Sequence, residues 1–351
     1  MPVAKCVHFA GTSYRTEGMR PFLHPQLING RTGDPALYIE TLFEARAILF
    51  DLGDIAALPP RKIHRLEHVL VSHTHIDHFV GFDHLLRILV GRDKTLNLYG
   101  PPGFIDQVHH KLQAYRWNLV DRYECDLIVA VSEIGDSAGM KRAQFRLKRA
   151  FAPEPLDPRA IVNRTIHAAP GYRLSAAVLD HGMPCLGFAI EESVHVNVWK
   201  NRLAELGLSV GPWLRELKRA VIEERPDEYP IRIDGERSEA DLGSLRSAVT
   251  VTAGQKIAYV TDTADTAANR RAIIALARNA DLLFIEAPFA SADSALAAER
   301  AHLTTAAAGE IARDAKVRRV EAFHFSPRYA GEEERLLDEV ATAFAGGEGK
   351  A

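Results

Sequence analysis

Val69-Leu70-Val71-Ser72-His73-Thr74-His75-Ile76-Asp77-His78 is an apolar run that ends in three histidines and an aspartate within six residues. Read as a strand delivering ligands, alternate residues share a face, so His73 and His75 point the same way. The turn that follows swings Asp77 and His78 toward a second centre. Imidazole nitrogens with a carboxylate suit zinc, and two groups of ligands so close in sequence suit two zinc ions. Four ligand-type side chains in six residues argue against chance clustering or simple capping of the next helix.

Such a site needs ligands from elsewhere in the chain. Three later segments repeat an apolar strand ending in a ligand-type residue: Leu174 to Leu179 before Asp180-His181, Lys256 to Thr261 before Asp262, and Val317 to Phe323 before His324. Each is weak alone, since Asp262 could open a helix as an N-cap. Together they count for more, because strand ends hold side chains rigidly enough to ligate a metal.

In this order the segments resemble the metallo-β-lactamase superfamily, and within it the ribonuclease Z branch. The finer resemblance rests on Asp180-His181-Gly182 with Gly187-Phe188, Tyr259-Val260-Thr261-Asp262-Thr263, Ile285-Glu286-Ala287-Pro288-Phe289, His302-Leu303-Thr304-Thr305, and Phe323-His324-Phe325-Ser326-Pro327-Arg328-Tyr329. The resemblance implies an α+β chain folded as an αββα sandwich, with a helical insertion between the third and fourth metal motifs. It assigns His73, His75 and His181 to one metal, Asp77, His78 and His324 to the other, and Asp262 to both. The implied cofactors are two divalent ions, zinc first and manganese or iron also accommodated. The implied chemistry is phosphodiester hydrolysis by a hydroxide activated between them. Asp77 is counted with the catalytic groups, and His302, supported by Glu286, matches the family's candidate proton donor. The implied substrate is precursor tRNA, cut to remove its 3′ trailer, and the implied assembly is a homodimer. Asp51, after the strand Ala47 to Phe50, matches an aspartate that orders the metal site.

Between His181 and Asp262 the branch carries an arm that grips tRNA. Here the interval of about 195–240 reads as two helices, Trp199 to Gly207 and Trp213 to Glu224, joined through Gly211-Pro212. Lys200, Arg202, Arg215, Lys218 and Arg219 could meet phosphates, which need only charge and reach. The acidic run Glu223 to Glu228 and Ala220 in place of a glycine depart from the arm's pattern. The formal net charge is −3, from 43 basic against 46 acidic residues, so RNA binding would rest on local patches. A hydrolase of a small cyclic phosphodiester, lactone or thioester is therefore the second reading, although a lactone or thioester needs no Glu286–His302 pair. A metal-binding module without activity is the third, and the complete ligand set argues against it.

With 351 residues, 47% hydrophobic and 25% charged, the chain has the composition of an ordinary globular protein. We expect one domain over 1–345 with the arm inserted, and a disordered tail over 346–351. Met1 to Ala10 is neither signal peptide nor membrane span, so a cytoplasmic location without membrane partners is expected. Cys6, Cys125 and Cys185 are too few and too scattered for a disulfide framework. Along the rest, Cys6 to Ala10 reads as a strand and Arg15 to Asp34 as a loop. Phe82 to Val90 carries helical apolar spacing, and Gln144 to Phe151 reads as a strand with a basic face. Pro153, Pro155 and Pro158 mark a loop, and Ala292 to Arg300 an alanine-rich link.

Overall fold

The strand Ala47–Phe50 is buried at all four positions, which requires a central strand covered on both faces. It is the third of eight in a sheet whose order follows the sequence: β1 (Leu23–Leu27), β2 (Leu37–Thr41), β3 (Ala47–Phe50), β4 (Leu66–Leu70), β5 (Lys94–Gly100), β6 (Leu127–Glu133), β7 (Gly139–Arg146) and β8 (Pro153–Ala160). β3 to β6 run parallel, and antiparallel strands flank them on both sides. The chain continues through β9 (Thr165–Ala169), β10 (Tyr172–Asp180) and β11 (Pro184–Glu192). It then makes an excursion through β12 (Val194–Val198), β13 (Pro230–Arg232), β14 (Glu239–Asp241) and β15 (Val249–Ala253). It returns with β16 (Lys256–Val260), β17 (Leu282–Glu286) and β18 (Val320–Phe323). The second sheet has the order β18-β17-β16-β11-β10-β9, with β16, β17 and β18 parallel. This computed structural model describes residues 23–41, 46–136, 139–169, 171–233 and 239–346. Cys6 and the expected strand Cys6 to Ala10 lie outside the described residues.

Three apolar clusters define four layers. Phe50, Phe188 and Tyr259 meet between the sheets, with ring centroids 5.9 and 5.5 Å from Phe50. Helices Phe82–Leu89 and Phe104–Gln113 cover the outer face of the first sheet through Phe82, Leu85, Leu89 and Phe104. Helices Ala267–Ala277, Thr305–Asp314 and Glu333–Ala345 cover the second through Ile273, Ile311, Leu336 and Val340. This is the expected αββα sandwich. Gly309 lets two of these helices touch, since a Cβ there would stand 2.5 Å from Val340 O.

The excursion between β11 and β16 departs from the expected pair of helices. Helices Lys200–Glu205 and Leu214–Ile222 form, but β12 pairs with β15 and β13 with β14, and Trp213, Leu217, Ile231 and Leu245 build a separate core. β12 and β15 lie some fifty residues apart, so no local pattern couples them.

Other expectations are corrected in the same way. Arg15 to Asp34 contains β1, whose Pro25 is tolerated because β1 is an edge strand. The proline-marked segment is β8, the opposite edge, where a missing N–H costs no ladder bond. Ala292 to Arg300 contains the helix Ser294–Glu299, as its alanines favour. The basic strand ends at Arg146, and its charge is answered: Arg146 pairs with Asp126 at 2.6 Å and Arg149 with Glu154 at 3.8 Å. β4 ends at Leu70, so His73 and His75 stand on the loop beyond the strand.

Candidate metal centre

The candidate ligands gather where the parallel strands of both sheets end, the carboxyl edge at which open α/β sheets bind ligands. His73 and His75 follow β4, and the short helix Ile76–Phe79 presents Asp77 and His78. His181 follows β10, Asp262 follows β16, Glu286 is the last residue of β17, and His324 follows β18. His302 stands in the loop ahead of the helix Thr305–Asp314.

Two groups form. His73, His75, His181 and Asp262 each bring a ligand atom within 4.8 Å of the others, and so do Asp77, His78 and His324. Asp262 Oδ2 lies 3.6 Å from His73 Nε2, 3.6 Å from His181 Nε2 and 3.4 Å from His78 Nε2. One carboxylate oxygen thus stands between the groups. Asp77 Oδ2 is 3.4 Å from the Nε2 atoms of both His78 and His324. All seven residues expected as ligands are brought together.

Hydrogen bonds fix which nitrogen each ring offers. His78 Nδ1 donates to Asp51 Oδ2 at 2.9 Å, and His181 Nδ1 donates to Ala301 O at 2.8 Å. His73 Nδ1 is 3.1 Å from Ser72 Oγ. In each case Nε2 is left for a metal. Asp51 also accepts from Ser72 N at 2.6 Å, Ser72 Oγ at 2.9 Å and Tyr259 OH at 2.8 Å, so the aspartate does order the site. Cys185 is buried and donates from Sγ to Asp262 O at 3.1 Å, a support and not a ligand.

Divalent ions fit this donor set. His73 Nε2 and His78 Nε2 are buried without a hydrogen-bond partner among the described residues, and His324 Nδ1 faces Asp262 Oδ1 at 2.9 Å. A bare buried polar atom costs roughly 1–3 kcal/mol, and imidazole nitrogens converging on one carboxylate suit a shared cation. Nitrogen and carboxylate donors of this kind suit zinc and other first-row ions. Electrostatics agree. Burial, reinforced by His78, pushes His73 down to about 2, the neutral form a metal needs. Burial also opposes charge on His78 and His324, but Asp262 outweighs it and holds both well above the ordinary histidine range. Burial pulls Asp262 upward, and His324 and His78 overcome it to keep the carboxylate well below its usual range. The protons on His78 and His324 are those that metal binding would displace.

Beside the ligands, Glu286 is fully buried and accepts from Thr263 N at 2.9 Å and Leu303 N at 3.1 Å through Oε1. Its Oε2 lies 2.7 Å from His302 Nδ1. Burial lowers the His302 pKa, and Glu286 more than offsets this, raising it above the ordinary value. The His302 ring lies 4.7 Å from that of His181.

The backbone is strained where these side chains are launched. Asp51, Asp262 and His324 adopt φ of 56°, 35° and 59°, a left-handed conformation that costs L-residues roughly 1–2 kcal/mol. Two supports escaped the sequence reading. Asn269 bonds Asp180 O and Ala264 O, both at 2.8 Å, tying the His181 and Asp262 loops together. Arg31 reaches Ala322 O at 2.5 Å, and its own carbonyl accepts from Phe325 N, bracketing His324. Both act across long sequence separations that no local motif marks.

The proposed substrate-contact residues are divided. Lys200, Arg202, Arg215 and Arg219 are exposed on the excursion, with Arg202 Nη1 donating to Ser247 O at 2.7 Å. Lys218 is half-buried; burial lowers its pKa while nearby Glu192 raises it. Among the described residues no helix is long and apolar enough to cross a membrane.

Comparison with known proteins places these features in context. A family model described as a beta-lactamase superfamily domain matches residues 39–195 and 229–325. A ribonuclease Z of Deinococcus radiodurans is 32% identical over 300 residues, covering 84% of this chain and 87% of that protein. A ribonuclease Z of Thermobifida fusca is 30% identical over 312 residues, covering 87% and 83%. Among solved structures, the metallo-beta-lactamase fold protein YhfI from Bacillus subtilis shares the fold with a TM-score of 0.52 at 17% identity, covering 91% and 92% of the two chains.

Proposed function

Because the chain belongs to the beta-lactamase superfamily and to its ribonuclease Z family, we propose that it is a metal-dependent endoribonuclease that removes the 3′ trailer from precursor tRNA. The observation that carries this reading is the Glu286–His302 pair, 2.7 Å apart, set against two ligand groups that share Asp262. Bound divalent ions, zinc by preference, supply Lewis acidity that makes water nucleophilic near pH 7 and stabilises charge on a phosphate. His73, His75 and His181 would hold one ion, Asp77, His78 and His324 the other, and Asp262 both. Asp51 and Ala301 keep the rings of His78 and His181 in the ligating tautomer. Glu286 engages His302 Nδ1, which leaves Nε2 free to hold and release a proton. Its role is to protonate the departing ribose oxygen, whose alkoxide is a poor leaving group.

The excursion over β12 to β15 serves as the tRNA-contacting arm, supported by its own core and by exposed Lys200, Arg202, Arg215 and Arg219. The enzyme works in the cytoplasm as a homodimer. Ile76 and Val80, exposed one turn apart on the helix after the ligand loop, support a covered face there. The partial burial of Lys218, which leaves the arm fewer exposed cations, favours a second reading, hydrolysis of a small cyclic phosphodiester.

Purified, metal-quantified protein assayed side by side on a 3′-extended tRNA precursor, a cyclic nucleotide and a lactone tests both. Cleavage of the precursor at the trailer junction, far faster than of either small molecule, supports the first reading. Preference for the cyclic nucleotide selects the second, and preference for the lactone defeats both.

A further inference from the structure

On the outer face of the second sheet lies a cavity of about 550 Å³ that the metal centre does not use. Its wall is laid by the early residues of β10 (Arg173, Ser175), the end of β11 (Glu191) and the start of β16 (Lys256), whereas the metal ligands follow the far ends of β10 and β16. From Lys256 to Asp262 is six residues, which at strand rise puts the two sites on the order of 20 Å apart.

The cavity is rich in donors and poor in acceptors. Arg164, Arg173 and Lys256 line it together with the hydroxyls of Thr165 and Ser175, and Glu191 is its one carboxylate. Arg173 satisfies Glu191 at 2.9 Å. Arg164 has no ion pair among the described residues. Lys256 Nζ donates to Arg278 O at 3.1 Å, a neutral partner. Burial lowers the Lys256 pKa; Glu191 pulls it back up, and Arg173, Arg164 and Arg278 push it lower again. Positive charge is therefore crowded here beyond what the carboxylate offsets.

The turn that carries Arg164 is an independent sign. Asn163 and Arg164 adopt φ of 50° and 63°, and Thr165 N bonds Val162 O at 2.9 Å, a tight hairpin with both central residues left-handed. The second central position of such a turn prefers glycine. The turn holds an arginine against backbone preference at the rim of the cationic cavity. The β9–β10 register also shifts between Leu174 and Ser175, bending the strand at the cavity wall.

From this geometry we infer that the cavity binds a phosphomonoester of nucleotide size, with its phosphate between Arg164, Lys256 and the Thr165 and Ser175 hydroxyls and its uncharged portion against Val162 and Leu276. Two cations beyond the Arg173–Glu191 pair match a phosphomonoester dianion, and charge-assisted hydrogen bonds from guanidinium and ammonium groups are the strong kind. The volume falls in the range of small-molecule sites, roughly 300–1,000 Å³, and leaves ample room beyond a phosphate. The inference is independent of whether the metal centre acts on tRNA.

Hydrogen–deuterium exchange on the full chain at saturating metal reads the site directly, since the metal centre also attracts phosphates. AMP and ribose 5-phosphate should protect peptides covering 162–175 and 256–278; adenosine should not. Arg164→Gly removes the cation and relaxes the turn, so it should fold normally, keep cleavage activity and weaken AMP protection of these peptides at least fivefold. Lys256→Gln should act in the same direction. Absence of protection by either phosphate compound, equal protection by adenosine, protection only by an RNA oligonucleotide, or undiminished protection in Arg164→Gly would each overturn the assignment.

Discussion

Asp51→Asn tests the reasoning about the metal centre most directly. The aspartate carboxylate accepts four hydrogen bonds, one from Ser72 N through Oδ1 and three through Oδ2 from Ser72 Oγ, His78 Nδ1 and Tyr259 OH. An amide keeps one acceptor oxygen and replaces the other with an NH2 donor. The two hydroxyls can rotate to accept from it, but a backbone N–H cannot, and His78 Nδ1 can do so only by moving its proton to Nε2. If the NH2 takes the Oδ2 position, His78 must give up either that bond or the Nε2 lone pair a metal requires. If it takes the Oδ1 position, two N–H groups face each other in the core, at roughly 1–3 kcal/mol. Asparagine tolerates the left-handed backbone of residue 51 as readily as aspartate, so the change is confined to the hydrogen bonds. Loss of a group that orients a metal ligand typically costs 10–100-fold in affinity, about 1.4–2.7 kcal/mol. The measurement is metal content after competition with a graded chelator, alongside the near-ultraviolet circular dichroism of the folded variant. A well-folded Asp51→Asn protein that keeps both ions within threefold of wild type would refute the tautomer argument.

His302→Ala should keep its metals and lose roughly 10²–10⁴-fold on an RNA substrate with a ribose leaving group. It should lose far less on a nitrophenyl phosphodiester, whose leaving group needs no proton; equal losses on both, or loss of metal, mean that His302 is a ligand or a structural residue. Arg215→Glu with Arg219→Glu should weaken precursor tRNA binding and flatten its salt dependence by about 1–2 in the log–log slope while sparing the nitrophenyl substrate. A parallel loss on both substrates would place these residues in the fold. His68, buried in β4 near His167, is pushed down to about 3 by burial, His167 and Arg46. Between an unfolded value of about 6.5 and that folded value the unfolded chain binds more protons, so stability falls as the pH drops through this window. The loss is roughly 2 kcal/mol by pH 5. Other histidines of the chelator-treated protein titrate in the same window, His73 in the same direction and His78 and His324 in the opposite one. The measurement is therefore a difference: by urea unfolding at pH 7 and pH 5, His68→Gln should lose about 2 kcal/mol less than wild type, and equal losses would place the proton elsewhere.

What could be read in the sequence was whatever is local. The run from Val69 to His78 holds four of the seven ligands, and strand ends at Asp180, Thr261 and Phe323 announce the other three because apolar runs stop abruptly at polar groups. Edge strands were missed for the opposite reason. β1 and β8 carry prolines that signal a loop in isolation, and only the absence of a neighbour on one side makes them permissible. The β12–β15 pairing was hidden because it joins segments separated by two helices and a second hairpin. Lys218 looked like its neighbour Arg219, yet the first is half-buried and the second exposed.

The strained positions explain why the ligand residues are of the types they are. A strand that continued straight would carry its side chains alternately up and down past the sheet edge. A single left-handed residue instead turns the chain at once, so a ligand side chain is launched from the very end of a rigid strand. Glycine would make this turn without strain but brings no ligand. Aspartate and histidine are among the few side chains that visit the left-handed region with any frequency and also bind metals. Asp262 and His324 meet both conditions, and Asp51, which orients His78 and ligates no metal, meets the first. At roughly 1–2 kcal/mol each, three such residues oppose folding by several kcal/mol. Burial of His73 Nε2 without a partner adds to that opposition. In the metal-free chain Asp262 relieves part of the cost by pairing with protonated His78 and His324, so ion binding has to offset the backbone strain, the bare His73 nitrogen and the loss of those protons. Metal binding and the last stage of folding at this edge of the sandwich are therefore coupled.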